Sequence, residues 1–138
     1  MTGHGTVSAY EPMTLIELGE AIAAEVATNG GDTESVWIQV KEFREEARHE
    51  DSSTQDRLLA SEPAPTGDER WDVFLAALAE HVAMEQDLPA PSWSRQRFLS
   101  RFWFPFDTPF ARTDAIVHAP PAFRRRNIFL HPAELSVV

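Results

Sequence analysis

A dense block of aromatic residues between positions 91 and 110 constrains this chain more than any other feature. The chain has 14 aromatic residues (4 Trp, 1 Tyr and 9 Phe), and seven lie in this block: Trp93, Phe98, Phe102, Trp103, Phe104, Phe106 and Phe110. Aromatic side chains bury the largest apolar areas, so the block supplies either the core of the domain or a surface for a partner. Because Trp103 cannot face the same way as all of its neighbours, we expect some of these rings either to wrap under the bundle or to remain exposed as a patch that marks a binding site.

Length and composition predict one globular domain. The chain has 138 residues, of which 43% are hydrophobic, which is enough to bury a core without disulfides or metal. The absence of cysteine excludes disulfides, zinc–thiolate sites and a cysteine nucleophile. No apolar run is long enough to span a membrane, and the N-terminus lacks the features of a secretory signal. We therefore expect a cytoplasmic protein.

Apolar residues recur at helical spacing through most of the chain, and capping signals mark where the helices begin. Thr14 and Glu17 form a capping-box pattern, and Asp68 precedes the strongest amphipathic stripe. The predicted helices span about 14–28, 33–49, 54–61, 69–86 and 109–118. A further helix, capped by Ser92 or Ser94 and ended by Pro105, is predicted to carry Phe98, Leu99 and Phe102. The predicted class is all-α, a small helical bundle with an irregular aromatic-rich C-terminal section.

The domain organisation follows from these elements. Residues 1–12 are predicted to be a disordered tail, and translation could begin at either Met1 or Met13. Residues 13–138 are predicted to form a single helical domain, with acidic N-terminal helices over 13–62 and an aromatic-rich part over 68–138.

Charge is distributed unevenly along the chain, whose net charge is −10. Residues 1–88 carry 19 acidic and 5 basic side chains, a net of −14, whereas residues 89–138 carry 3 acidic and 7 basic side chains, a net of +4. Such a layout can steer a charged partner toward one face. The acidic residues can equally serve to solvate the exposed faces of the N-terminal helices.

Motifs for catalysis are absent from the sequence. There is no strained G-x-S-x-G turn, no phosphate-binding P-loop and no GxGxxG fingerprint. His81 and Glu85 lie one helical turn apart and could offer two metal ligands, but no motif completes the set, so His81 is interpreted as a packing residue. We predict no catalytic residue, no metal site and no cofactor.

Arg124, Arg125 and Arg126 are the sharpest polar feature. Their guanidinium groups could pair with the surplus acids of the N-terminal helices, contribute to a protein interface, or bind single-stranded nucleic acid together with aromatic rings. We predict a partner-binding site formed by Trp103, Phe104, Phe106, Arg124, Arg125 and Arg126. Replacing Trp103 and Phe104 with alanine is expected to abolish partner binding while the fold persists.

Four segments of the second half carry a resemblance to a known group of proteins. They are Pro65–Asp72 (PTGDERWD), Leu88–Trp93 (LPAPSW), Arg97–Phe104 (RFLSRFWF) and Ala122–Leu130 (AFRRRNIFL). Over about residues 55–138 the chain resembles small actinobacterial proteins that accompany helix-turn-helix regulators, sometimes beside nucleotidyltransferase-like toxin genes. The resemblance implies a regulatory or antitoxin-like protein that binds a toxin-like or regulator partner, and it implies no catalytic residues.

The sequence thus predicts a non-enzymatic regulatory or antitoxin-like protein that acts through protein contacts. The alternative is a nucleic-acid-binding module built on the C-terminal arginine and aromatic residues. The only candidate helix-turn-helix, over residues 14–49, carries four glutamates on its second helix, which DNA phosphates would repel.

Overall fold

The computed structural model describes residues 11–31 and 33–137, so most of the predicted N-terminal tail lies outside the described residues. The described chain contains six α-helices and two 3-10 helices. The α-helices are α1 (Leu15–Asn29), α2 (Glu34–Arg48), α3 (Ser52–Leu59), α4 (Glu69–Met84), α5 (Pro109–His118) and α6 (Pro121–Arg124). The 3-10 helices are Ser92–Gln96 and Pro132–Leu135. The predicted all-α class, a small helical bundle, is confirmed.

The first two helices span nearly the residues predicted for them. The hydroxyl of Thr14 accepts from the amide of Glu17, whose carboxylate accepts in turn from the amide of Thr14, which completes the capping box at the start of α1. Gly30 follows α1 in the left-handed conformation, with φ of 79°, and closes its C-terminus. Thr33 caps α2, whose buried face includes Val36, Val40, Phe43 and Ala47 as the spacing predicts.

Helix α4 is the central element. Asp68 caps its N-terminus, and its buried residues lie on every side of the helix rather than on one stripe: Trp71, Val73, Phe74, Leu75, Ala76, Ala77, Leu78, Ala79, Glu80, Val82 and Ala83. A helix that is apolar all round has to be covered all round. Helices α1, α2 and α3 pack on it from the N-terminal half, and α6 with the first 3-10 helix pack on it from the C-terminal half.

The predicted helix through Phe98 and Phe102 is wrong. Only a 3-10 helix, Ser92–Gln96, forms there, and the chain then runs in an irregular, partly extended course. The amide of Leu99 donates to Arg126 O and that of Trp103 to Asn127 O, while Phe129 returns a hydrogen bond to Trp103 O. These long-range bonds satisfy the backbone as helical bonds would have done, which allows alternate rings to face opposite sides.

The last third of the chain closes over α4. Helix α5 spans the predicted residues 109–118, with Thr108 as its cap and Pro109 at its first position. A parallel bridge joins Trp103 to Ile128, and it is the one strand-like pairing in the described chain. None of the helices in the described part of the chain is both long and apolar enough to cross a bilayer.

Candidate partner-binding surface

Arg126 lies in the core. Its side chain has no solvent exposure, and its guanidinium donates to Oε1 of Glu80 at 2.6 Å, to Ala122 O at 2.7 Å and to Ser94 O at 3.0 Å. The glutamate side chain is 8% exposed, so the ion pair is almost dry. In this position Arg126 ties α4 to the C-terminal section and is not available to a partner.

The other two arginines of the triplet also have internal partners. Arg125 pairs with Oε2 of Glu80 at 2.9 Å while half of its side chain remains exposed. Arg124 donates to the carbonyls of Ile116 at 2.8 Å and Ala119 at 3.4 Å, which are acceptors left over at the end of α5. The interpretation that the triplet pairs with acids thus describes two of its members, although their acid lies on α4 rather than on α1 or α2.

Two of the predicted partner-binding rings pack inward. Trp103 meets Trp71 with centroids 5.3 Å apart and Phe74 with centroids 6.3 Å apart, both edge to face. Phe106 lies 4.7 Å from the ring of Trp37. Both rings are partly buried against the main core. Removing Trp103 would therefore remove core packing as well as any surface contact.

Phe102 and Phe104, the two neighbours of Trp103, form a separate aromatic cluster with Phe129. Phe104 stacks on Phe129 with centroids 5.3 Å apart, and Phe102 meets Phe129 edge to face at 5.2 Å. The guanidinium of Arg112 lies 4.4 Å from the centre of the Phe104 ring, and that of Arg124 lies 5.8 Å from the Phe129 ring. Arginine–aromatic stacking of this kind is common at protein interfaces and at nucleic-acid sites.

A pocket of about 400 Å³ adjoins this cluster. Residues that precede Phe104 form most of its wall, together with the first turn of α4: Glu69, Arg70, Leu99, Ser100, Arg101, Phe102 and Trp103. Arg70 is held over Trp103, 5.1 Å from the ring centre, and donates to the carboxylate of Asp68. The lining of the pocket thus combines apolar side chains (Leu99, Phe102 and Trp103) with charged ones (Glu69, Arg70 and Arg101).

Phe102 belongs to both the cluster and the pocket, and its side chain is 69% exposed. Beside it, Arg101 is exposed and makes no ion pair or hydrogen bond with any residue of the described chain. We call Phe102, Phe104, Phe129, Arg101 and the adjoining pocket the Phe102 surface. The six residues predicted for the site include neither Arg101 nor Phe102, although an alternation of inward Trp103 with outward neighbours on either side was available as a signal.

Helix α5 carries a second set of exposed apolar side chains. Its only buried residue is Ala115, which packs with Ala119 on Phe129. Phe110 is 82% exposed, and Ile116 and Val117 are also exposed on the outward side. At helical spacing Phe110 and Val117 fall on one face, so α5 extends the apolar character of the region away from the core.

His81 packs against a neighbouring ring, as interpreted from the sequence, and Glu85 forms an ion pair. The ring of His81 lies 5.7 Å from that of Phe123, and Glu85 accepts two hydrogen bonds from Arg44. Burial lowers the pKa of His81, as does Arg44 to a lesser degree, while Glu85 acts in the opposite direction. His81 is therefore neutral in the folded protein near pH 7, and no third donor joins the pair among the described residues.

Comparison with protein-family models, with curated proteins and with solved structures finds no match to this chain.

Proposed function

We propose that this protein is a non-enzymatic regulatory or antitoxin-like component that binds a partner protein through the Phe102 surface. The observation that carries the proposal is the exposure of Phe102, a large aromatic side chain that stands between a stacked aromatic cluster and a pocket. Exposed rings beside a concavity and an arginine are the composition typical of interface hot spots. The resemblance of residues 55–138 to companions of regulators and toxins supports the same class of function.

The chemistry of the surface indicates what the partner offers. The apolar residues in the pocket lining suit an aliphatic or aromatic side chain, and Arg101 suits a carboxylate beside it. A toxin-like or regulator protein with an acidic, apolar contact segment in the cytoplasm fits these requirements. The acidic N-terminal half disfavours the binding of such a segment elsewhere, because residues 1–88 carry a net charge of −14 from 19 acidic and 5 basic side chains.

The pocket itself is poorly equipped for catalysis. Ser100 supplies the one hydroxyl in its wall, no histidine lies in the lining, and the one carboxylate there belongs to Glu69, an exposed residue at the first position of α4. The polar groups of Arg70 and Asp68 bind each other. These features support a binding role for the pocket.

The experiment is affinity capture from a lysate of the host that encodes the chain, treated with nuclease, with wild type compared with Phe102→Ala. Because Phe102 is mostly exposed, its replacement should leave the melting temperature within a few degrees of wild type. We expect a stoichiometric protein partner that wild type retains and Phe102→Ala loses. Ile38→Ala is the matched control, since Ile38 is a half-exposed apolar residue on α2 outside the Phe102 surface.

Loss of the partner with Phe102→Ala and its retention with Ile38→Ala support the proposal. Equal retention by both variants would place the interface elsewhere. If the partner arrests growth when expressed alone and the wild-type chain relieves that arrest, the antitoxin-like role follows; relief that survives Phe102→Ala would contradict it.

Binding of single-stranded nucleic acid is the alternative, favoured by Arg101 beside the exposed ring of Phe102. It predicts retention of single-stranded DNA or RNA that falls steeply with salt and is lost in Arg101→Ala. Lack of retention at low salt would remove this alternative. Arg112 and Arg124 are already engaged by Asp107 and by backbone carbonyls, which leaves few cations for phosphates.

A further inference from the structure

Three potential metal ligands converge where α5 ends. Asp114 and His118 lie one turn apart on α5, and His131 precedes the second 3-10 helix, 13 positions further along the chain. Helix α6 and the Ile128–Leu130 segment turn the chain back so that His131 reaches the end of α5. One donor atom from each of the three residues lies within 4.8 Å of the other two, and the two imidazole rings have centroids 5.1 Å apart.

The donor set has the chemistry of a transition-metal site. Two imidazoles and one carboxylate suit Zn²⁺, Co²⁺, Ni²⁺ or Fe²⁺ rather than Mg²⁺ or Ca²⁺. Zn²⁺ binds nitrogen and oxygen donors at about 2.0–2.2 Å, which places donors of a tetrahedral site roughly 3.3–3.5 Å apart. Donors that lie up to 4.8 Å apart therefore need to close by as much as about 1.3–1.5 Å, and half-exposed side chains can do so by small rotations.

The surroundings of His118 favour a ligand role. Its Nδ1 lies 3.2 Å from the backbone oxygen of Asp114, where it can donate a hydrogen bond. Nδ1 also lies 3.2 Å from Oδ1 of Asp114, so Nδ1 is the ring nitrogen that faces the carboxylate. An ion shared by His118 and Asp114 therefore binds Nδ1, which gives up its hydrogen bond to the backbone oxygen, and Nε2 carries the proton of the neutral ring.

His131 must exchange one hydrogen bond to bind an ion. Its Nδ1 accepts from the amide of Ala133 at 2.9 Å, so in the neutral ring Nε2 carries the proton and faces Oδ2 of Asp114 at 3.9 Å. An ion at Nε2 replaces that proton, and Nδ1 becomes the protonated nitrogen. The amide of Ala133 then loses its hydrogen bond to Nδ1 and donates to water instead. The loss is small, because that amide lies at an exposed helix start.

We propose that Asp114, His118 and His131 bind one divalent transition-metal ion of the zinc type and that the ion fastens the end of α5 to the C-terminal segment. The buried side chains at this end of α5 are small, Ala115 and the adjoining Ala119, and the helix is otherwise held by Arg112 over the Phe104 ring and by Arg124 at its last carbonyls. Three protein ligands leave at least one coordination position for water or for a partner's group. The ion would hold the exposed face of Phe110 and Val117 in a fixed orientation.

The test is titration of untagged, chelator-treated full-length protein with Co²⁺ and Zn²⁺. We expect one ion per chain, visible d–d absorption bands with Co²⁺, and a melting temperature raised by roughly 5–10 °C when Zn²⁺ is at 100 times its Kd. Three variants each remove one ligand: Asp114→Asn, His118→Gln and His131→Asn. Asparagine at 131 retains a side-chain oxygen to accept from the amide of Ala133 and so keeps the helix start.

Each of these variants should weaken binding at least tenfold. The matched control is His49→Gln, because His49 and Glu45 form another acid–histidine pair one turn apart, 2.7 Å between Nε2 and Oε2, without a third donor. Unchanged affinity in this control, with loss in the three variants, supports the site. Absence of saturable binding, or binding that the three variants leave intact, would overturn the proposal.

Discussion

Replacing Glu80 with alanine would leave the guanidinium of Arg126 without a counter-charge in a site from which water is excluded. The arginine has no exposure, and Nη1 lies 2.6 Å from the carboxylate that would be lost. Its bonds to the carbonyls of Ala122 and Ser94 would remain, but neutral acceptors do not replace a charge. Removing one partner of a buried ion pair costs about 3–5 kcal/mol.

This cost is a large part of the stability of a domain of this size, which is on the order of 5–15 kcal/mol. We therefore expect Glu80→Ala to lower the free energy of unfolding by about 3–5 kcal/mol and the melting temperature by roughly 10 °C or more. Urea denaturation followed by tryptophan fluorescence measures the change. The slope of the free energy against urea concentration should stay near that of wild type, which excludes a change in the unfolded state.

Glu62→Ala is the matched control. Glu62 also pairs with an arginine, Arg97, at 2.8 Å, but its side chain is 57% exposed, so the same change should cost about 1 kcal/mol or less. Combining Glu80→Leu with Arg126→Met should cost less than the sum of the two single changes, because no charge is left buried. If Glu80→Ala lowered the free energy of unfolding no more than Glu62→Ala, the argument that Arg126 and Glu80 are shielded from water would be refuted.

Three further predictions follow from local geometry. Burial lowers the pKa of His81, so as the pH falls below about 6.5 the unfolded chain binds a proton at this residue before the folded chain does. The free energy of unfolding therefore decreases in this pH range, and the decrease should be smaller in His81→Gln. Urea midpoints at pH 7.5 and 5.5 measure the decrease, and equal decreases in the two proteins would contradict the prediction. Gly31→Ala should destabilise at least about 1 kcal/mol more than Gly30→Ala: both have positive φ, but only at Gly31 would the new Cβ lie 2.8 Å from Cγ2 of Val26. Thr14→Ala removes the capping box and should cost about 1 kcal/mol by the same assay, with no change expected if α1 frays there.

The helices could be predicted from sequence because their causes are local. The capping box at Thr14, the cap at Thr33 and the Pro109 start of α5 each depend on residues within one turn. In each case the hydrogen bond is made between neighbours in the chain, and so the sequence nearby contains both partners. The buried stripe of α2 follows in the same way from spacing alone.

The segment after Gln96 could not be predicted in that way. Its backbone hydrogen bonds go to Arg126 and Asn127, residues some 25 positions away. Whether Leu99 and Trp103 lie on a helix or in an extended chain depends on this distant partner, which local patterns do not contain. Where the spacing of apolar residues fits both a helix and an extended chain, tertiary contacts decide which of the two forms.

The candidate surface was likewise predictable only in the parts that depend on local sequence. The aromatic block contains Phe102 and Phe104 of the Phe102 surface, but the side that each ring faces depends on the bridge between Trp103 and Ile128. Burial of Arg126 was likewise invisible in sequence, because three adjacent arginines look alike until one of them meets Glu80. The convergence of Asp114 with His131 depends on the turn through α6 and not on any motif.

The position of α4 has a consequence for the order in which the protein is made. During synthesis this helix leaves the ribosome before the residues that cover its C-terminal side, because α6 and Ile128 lie some 40 positions later in the chain. Until they emerge, the C-terminal section is not there to cover Phe74 and Leu78 or to supply Arg126 as the partner of the Glu80 carboxylate. Completion of the fold therefore waits for the last section of the chain, and a nascent chain halted near residue 120 would expose an apolar helix that chaperones recognise.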